Sequence, residues 1–170
     1  MKHLFKSILT VIVMLSLTAT TFAQTSATAT ATATILTPIA ITKDVDMNFG
    51  NLAVNNTAGT VILAPDGTRT ATAGVTFLPT NPGTVTAAAF TVTGLADATY
   101  SITLPSGATT LTSAGNTMTV DTWTSSPTPT GTLTGGSQEV YVGGTLNVGA
   151  SQPAGIYISG TPFTVTVNYN

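Results

Sequence analysis

Few residues in this chain have types and spacing that could support chemistry. Asp44, Asp46 and Asn48 place side-chain oxygens at alternate positions, as a calcium loop does. Such a loop needs a glycine at its sixth position and a bidentate glutamate at its twelfth, where Phe49 and Asn55 stand. Three oxygens at the end of a solvated strand describe the segment better. Trp123 stands beside a Ser/Thr/Pro run, 125–131, and has the chemistry to stack on a sugar ring, although a lone Trp in an all-β domain is more often core. Serine and aspartate are present, but the single histidine is His3 and there is no cysteine, so neither the usual base nor a thiol nucleophile is available beyond the first residues. The expectation is a protein that is not an enzyme and holds neither cofactor nor metal.

The elements that must position these residues begin with a leader. Residues 1–23 combine Lys2 and Lys6, an apolar run over 8–17, and small residues before Gln24. That run is too short to span a bilayer and reads as a cleaved signal peptide. It predicts export to the periplasm, cell surface or medium, with no membrane insertion after cleavage. Beyond the leader, Lys43 and Arg69 stand against Asp44, Asp46, Asp66, Asp97, Asp121 and Glu139, a balance of −4. This leaves no basic footprint for nucleic acid.

The most regular stretch is 25–41, in which Ala27, Ala29, Ala31, Ala33 and Ile35 alternate with threonines. Period two predicts a long strand with one apolar and one hydroxylated face. Pro38 lacks a ladder N–H and divides it. The domains are therefore expected as leader 1–23, an N-terminal extension over 24–37, and a sandwich over 38–170, with Ile39 and Ile41 entering the sandwich. Three fates stay open for residues 27–35: a disordered linker, insertion into the chain's own domain, or donation to a neighbour.

The chain has 39 threonines and only 6% charged residues, a composition that favours strands over exposed helix. Alternating segments recur between turn signals, among them Pro65-Asp66-Gly67, which predicts a hairpin. Gly143-Gly144 and 125–131 are likewise read as breaks, the latter as a mobile surface loop. The expected fold is all-β, an immunoglobulin-like antiparallel β-sandwich with a long alternating N-terminal strand. The last segment repeats the opening pattern, with Phe163, Val165, Val167 and Tyr169 on one face and Thr164, Thr166 and Asn168 on the other. It predicts an inner strand with a free edge.

DMNFGNL at 46–52, LAPDGT at 63–68, FTVTG at 90–94, YSITLP at 100–105, YVGGTLNV at 141–148 and FTVTVNY at 163–169 together resemble a secreted bacterial family catalogued as domain of unknown function 4402. More distantly, the layout is similar to chaperone–usher pilus subunits and spore-coat-U-like proteins. That resemblance implies a sandwich lacking one strand, completed by the extension of the next subunit, and a last strand read by a periplasmic chaperone. Ala27, Ala29, Ala31, Ala33 and Ile35 would be the donor face; Phe163, Val165, Val167 and Tyr169 would be the acceptor and chaperone-binding face. The chain departs from the pilus pattern in having no disulfide and in presenting Ala where donor strands carry larger side chains.

The functional expectation is thus a secreted structural subunit of a fimbria-like fibre or coat that assembles by strand addition, with itself or a chaperone and usher as partner. A glycan-binding adhesin module using Trp123, or a self-complemented monomer, is the alternative. Ordering of water on ice by threonine rows ranks last, because no fixed repeat extends beyond the first stretch.

Overall fold

Alternation carried by β-branched residues becomes an antiparallel framework in the computed structural model, which describes residues 24–170. The leader expected over 1–23 lies outside the described residues. In chain order the strands are β1 (Ala40–Val45), β2 (Asn48–Phe49), β3 (Leu52–Val54), β4 (Gly59–Leu63), β5 (Arg69–Ala71), β6 (Val75–Phe77), β7 (Val85–Thr86) and β8 (Ala88–Thr93). There follow β9 (Thr99–Thr103), β10 (Thr109–Ser113), β11 (Asn116–Ser126), β12 (Thr130–Thr132), β13 (Ser137–Val148), β14 (Ile158–Ser159) and β15 (Thr166–Tyr169). The one helical element among the described residues is a 3-10 turn at Thr134–Gly136. No helix among them is long and apolar enough to cross a membrane.

β13 is the spine. One edge pairs with β11, while the other pairs first with β8 over 137–142 and then with β4 over 144–148. The large sheet runs β1-β8-β13-β11-β10-β14, with β4 and β5 attached through β13. A smaller sheet, β12-β9-β15, supplies the opposing layer. Val140 and Val142 of β13, with Ala88 and Val92 of β8, meet Tyr100, Leu133, Val165 and Val167 in one buried cluster. Val61, Leu63, Val120, Leu146 and Val148 form a second with Phe49 and Val75. Met47 and Trp123 pack against both. The chain is an all-β antiparallel sandwich, and most of its core residues are those that alternation turns inward.

Three local expectations change. Gly143-Gly144 does not turn the chain, because β13 runs straight through it. A Cβ on Gly143 would overlap the Leu63 carbonyl, and one on Gly144 would lie 3.0 Å from Val120. These glycines serve close approach, of neighbouring backbone at Gly143 and of the Val120 and Trp123 side chains at Gly144, rather than reversal. The expected loop over 125–131 also shrinks to residues 127–129, since β11 runs to Ser126 and β12 begins at Thr130. Buried Ser125 donates its hydroxyl to the Pro127 carbonyl at 2.9 Å, and the Ile102 N–H donates to the Pro129 carbonyl at 2.9 Å. Backbone pairing there outweighs the local proline and serine signals. Finally, of the seventeen residues 25–41, only Ala40 and Ile41 lie in a ladder. Residues 24–38 are exposed throughout, while Ile39 and Ile41 are half-buried against the first core cluster.

The Pro65-Asp66-Gly67 hairpin forms as expected between β4 and β5. Gly67 takes φ 82°, its N–H donates to the Ala64 carbonyl at 3.0 Å, and Thr68 donates both its N–H and its hydroxyl to the Asp66 carboxylate. Those bonds, the hydroxyl's first, hold the Asp66 carboxyl below its ordinary value.

Candidate functional site

β15 is the edge strand of the smaller sheet. Its register with β9 is Thr166 opposite Thr103, Val167 opposite Ile102, Asn168 opposite Ser101 and Tyr169 opposite Tyr100. The Asn170 N–H donates to the Thr99 carbonyl at 3.2 Å, continuing that register by one pair. In an antiparallel ladder hydrogen-bonded and non-bonded pairs alternate. Asn170, Asn168 and Thr166 therefore turn their backbone groups toward β9, and Val167 and Tyr169 turn theirs away. The Ile102 N–H, which bonds Pro129 on the far side of β9, fits the same alternation. Among the described residues, no strand pairs with the outer edge of β15.

The side chains of this edge face inward. Val165 and Val167 are buried, while Phe163 and Tyr169 are half-buried against the same cluster. Phe163 packs against Trp123 with ring centroids 4.5 Å apart and meets Phe90 edge-on at 6.4 Å. The Trp123 indole N–H donates to the Gly107 carbonyl at 3.0 Å. An extra residue in β11 between Asp121 and Thr124, with Thr122 at φ 49°, turns Trp123 inward after the inward Val120. The ring that could have served as a sugar platform is thus engaged in packing. Asp44, Asp46 and Asn48 also face separate partners: Asp44 accepts from the Thr91 hydroxyl, Asp46 from Lys43, and Asn48 from the Gly50 N–H.

Tyr169 does more than fill the core. Its hydroxyl accepts from the Leu95 N–H at 2.6 Å and donates to the Thr37 carbonyl at 2.8 Å. Gly94 leaves room for it, since a Cβ there would overlap the phenol oxygen. The last residue of β15 is tied in this way to the chain just before β1. β1 is itself an edge, pairing among the described residues with β8 alone. Ile39 and Ile41 share a core cluster with Val165 and Val167, so β1 and β15, one from each sheet, border the same core. No local signal in the sequence could have revealed the Tyr169–Thr37 bond, which joins residues 132 positions apart.

The donor-face residues Ala27, Ala29, Ala31, Ala33 and Ile35 are all exposed and outside any ladder. Ile35 is 97% exposed. Residues Leu36–Asn170 form the compact unit that carries β1 and β15. The structure therefore contains an alternating segment without a sheet and an edge strand whose apolar face is turned into the core. It brings Phe163, Val165, Val167 and Tyr169 together on one core face.

No curated protein and no solved structure matches this chain. A family model does match, over residues 39–169, from the lead-in to β1 through the last residue of β15. The chain belongs to the family described as Domain of unknown function (DUF4402).

Proposed function

We propose that the protein is an exported structural subunit of a bacterial surface fibre or coat, and that it assembles by strand addition. Residues 27–35 of one copy lie along β15 of the next, where ladder bonds to Val167 and Tyr169 give affinity and alternate side chains give register. The observation that carries this reading is the outer edge of β15, whose outward backbone groups meet no strand among the described residues. The exposed alternation of Ala27, Ala29, Ala31, Ala33 and Ile35 supports it from the other side.

The test is Ala29→Pro with Ala31→Pro, which removes two ladder donors from the extension without touching a residue of the sandwich. By light scattering after chromatography, the unaltered protein is expected to form multimers on concentration, and the double variant to remain a monomer that binds an added peptide of residues 25–36. Monomers at every concentration for both proteins, with no peptide bound, would overturn the reading. Multimers of equal size from both would do the same.

A further inference from the structure

A groove opens on the outer face of the large sheet, where β8 and β4 part company along β13. β8 pairs as far as Val142 and β4 from Gly144 onward, so two strands diverge at Gly143. The groove floor is a cross-strand row in which Val45, Ala89, Tyr141 and Ser126 stand side by side. The turn after β4 forms a wall, with Ala64 and Pro65 lying close over Gly143. The lining is mainly apolar and built from small side chains, so the Tyr141 ring, 37% exposed, is its broadest surface.

The charges around this ring have one sign. Glu139, two residues back on the same face of β13, accepts the Tyr141 hydroxyl at 2.6 Å. Asp66 lines the groove from the turn. Glu139, through that bond and then its charge, holds the phenol above its ordinary value, with smaller pushes from desolvation and then Asp44, so the ring is neutral at ordinary pH. The two basic side chains of the described residues are engaged elsewhere. Lys43 lies 2.8 Å from Asp46, and Arg69 stacks 4.2 Å over Phe77 while donating to the Phe49 and Pro82 carbonyls. Among the described residues of a second copy, both basic side chains are thus already paired.

We propose that the groove binds an organic cation, an ammonium or guanidinium group on an apolar stem, with the charge over the Tyr141 ring between Glu139 and Asp66. An apolar floor takes the stem, an electron-rich ring face attracts the charge, and carboxylates on either side complement it. This site is independent of strand addition. A free amine and a lysine side chain present the same chemistry.

Backbone amide shifts of the full chain, followed by NMR during titration with hexylammonium chloride, test the site, with 1-hexanol as the uncharged control and a tri-lysine peptide as the protein-borne source. The expected result is saturable shifts centred on Val45, Ala89 and Tyr141, with hexanol at least about fivefold weaker. Tyr141→Phe retains binding, Tyr141→Ala weakens it roughly three- to fivefold, and Glu139→Gln with Asp66→Asn weakens it further and reduces its salt dependence. Tighter binding of tri-lysine than hexylammonium assigns the cation to a protein partner, and the reverse order to a free amine. Equal midpoints for hexanol and hexylammonium, or an unchanged midpoint in Tyr141→Ala, would overturn the proposal.

Discussion

Residues 27–35 and residues 163–169 share one pattern and behave differently. Both alternate apolar and hydroxylated or amide side chains. In the second, Val165 and Val167 are buried and the strand bonds β9; in the first, every residue is exposed and none is in a ladder. The difference lies in the size of the apolar residue. Valine carries two more carbons than alanine, worth about 1.5 kcal/mol when buried, whereas fixing each residue's backbone costs about 1–2 kcal/mol. Alanine at every second position does not offset that ordering cost alone. Valines backed by Phe163 and Tyr169 come much closer, and the β9 ladder adds to them. Alternation determines which face turns inward, and side-chain volume determines whether the segment can stay there without a partner.

The comparison breaks most severely if the last strand is given the small residues of the first. Val165→Ala with Val167→Ala is expected to destabilise the domain by about 4 kcal/mol, near 2 for each buried valine, read as a lowered urea midpoint. A loss under about 1 kcal/mol would show that β15 is held by its ladder and not by its volume. Tyr169→Phe should cost less, about 1–2 kcal/mol, because the ring remains while the Leu95 N–H and the Thr37 carbonyl lose their partner. Amide exchange should also quicken at Leu95; an unchanged rate there would mean the phenol bond does not hold that turn. The smallest expected effect on stability comes from the opposite exchange, Ala29→Val with Ala31→Val. The urea midpoint should move by less than the equivalent of about 0.5 kcal/mol, since both sites are exposed. Multimers should meanwhile form at lower concentration. A clear rise in monomer stability would instead place the extension in its own domain.

Much of the sandwich was legible in local pattern. Val61, Leu63, Val92, Tyr100, Val120, Leu146, Val165 and Val167 are inward by alternation, and each is buried. The hairpin at Pro65-Asp66-Gly67 forms because its turn chemistry is complete within the five residues 64–68. Leu133, Val140 and Val142 are equally buried but local pattern does not mark them as core. Leu133 follows a proline-rich run, and the two valines precede a glycine pair that reads as a break.

For the candidate edge, the sequence showed the inner face of 163–169 and the alternation of 27–35, both properties of neighbouring residues. It pointed to a free edge on that strand but could not say which side of β15 stays open, because that depends on where β9 lies across the sheet. Nor could it show that Tyr169 reaches Thr37. The glycines of β13 make the same point: glycine permits a reversal and a close approach equally well, and Leu63 lying across from Gly143 selects the second. Composition and period two therefore sufficed for all-β architecture and for which way side chains face, since the strand's own geometry sets them. Strand order, the side of β15 that stays open and the Tyr141 groove were decided by contacts between distant segments, which no local spacing encodes.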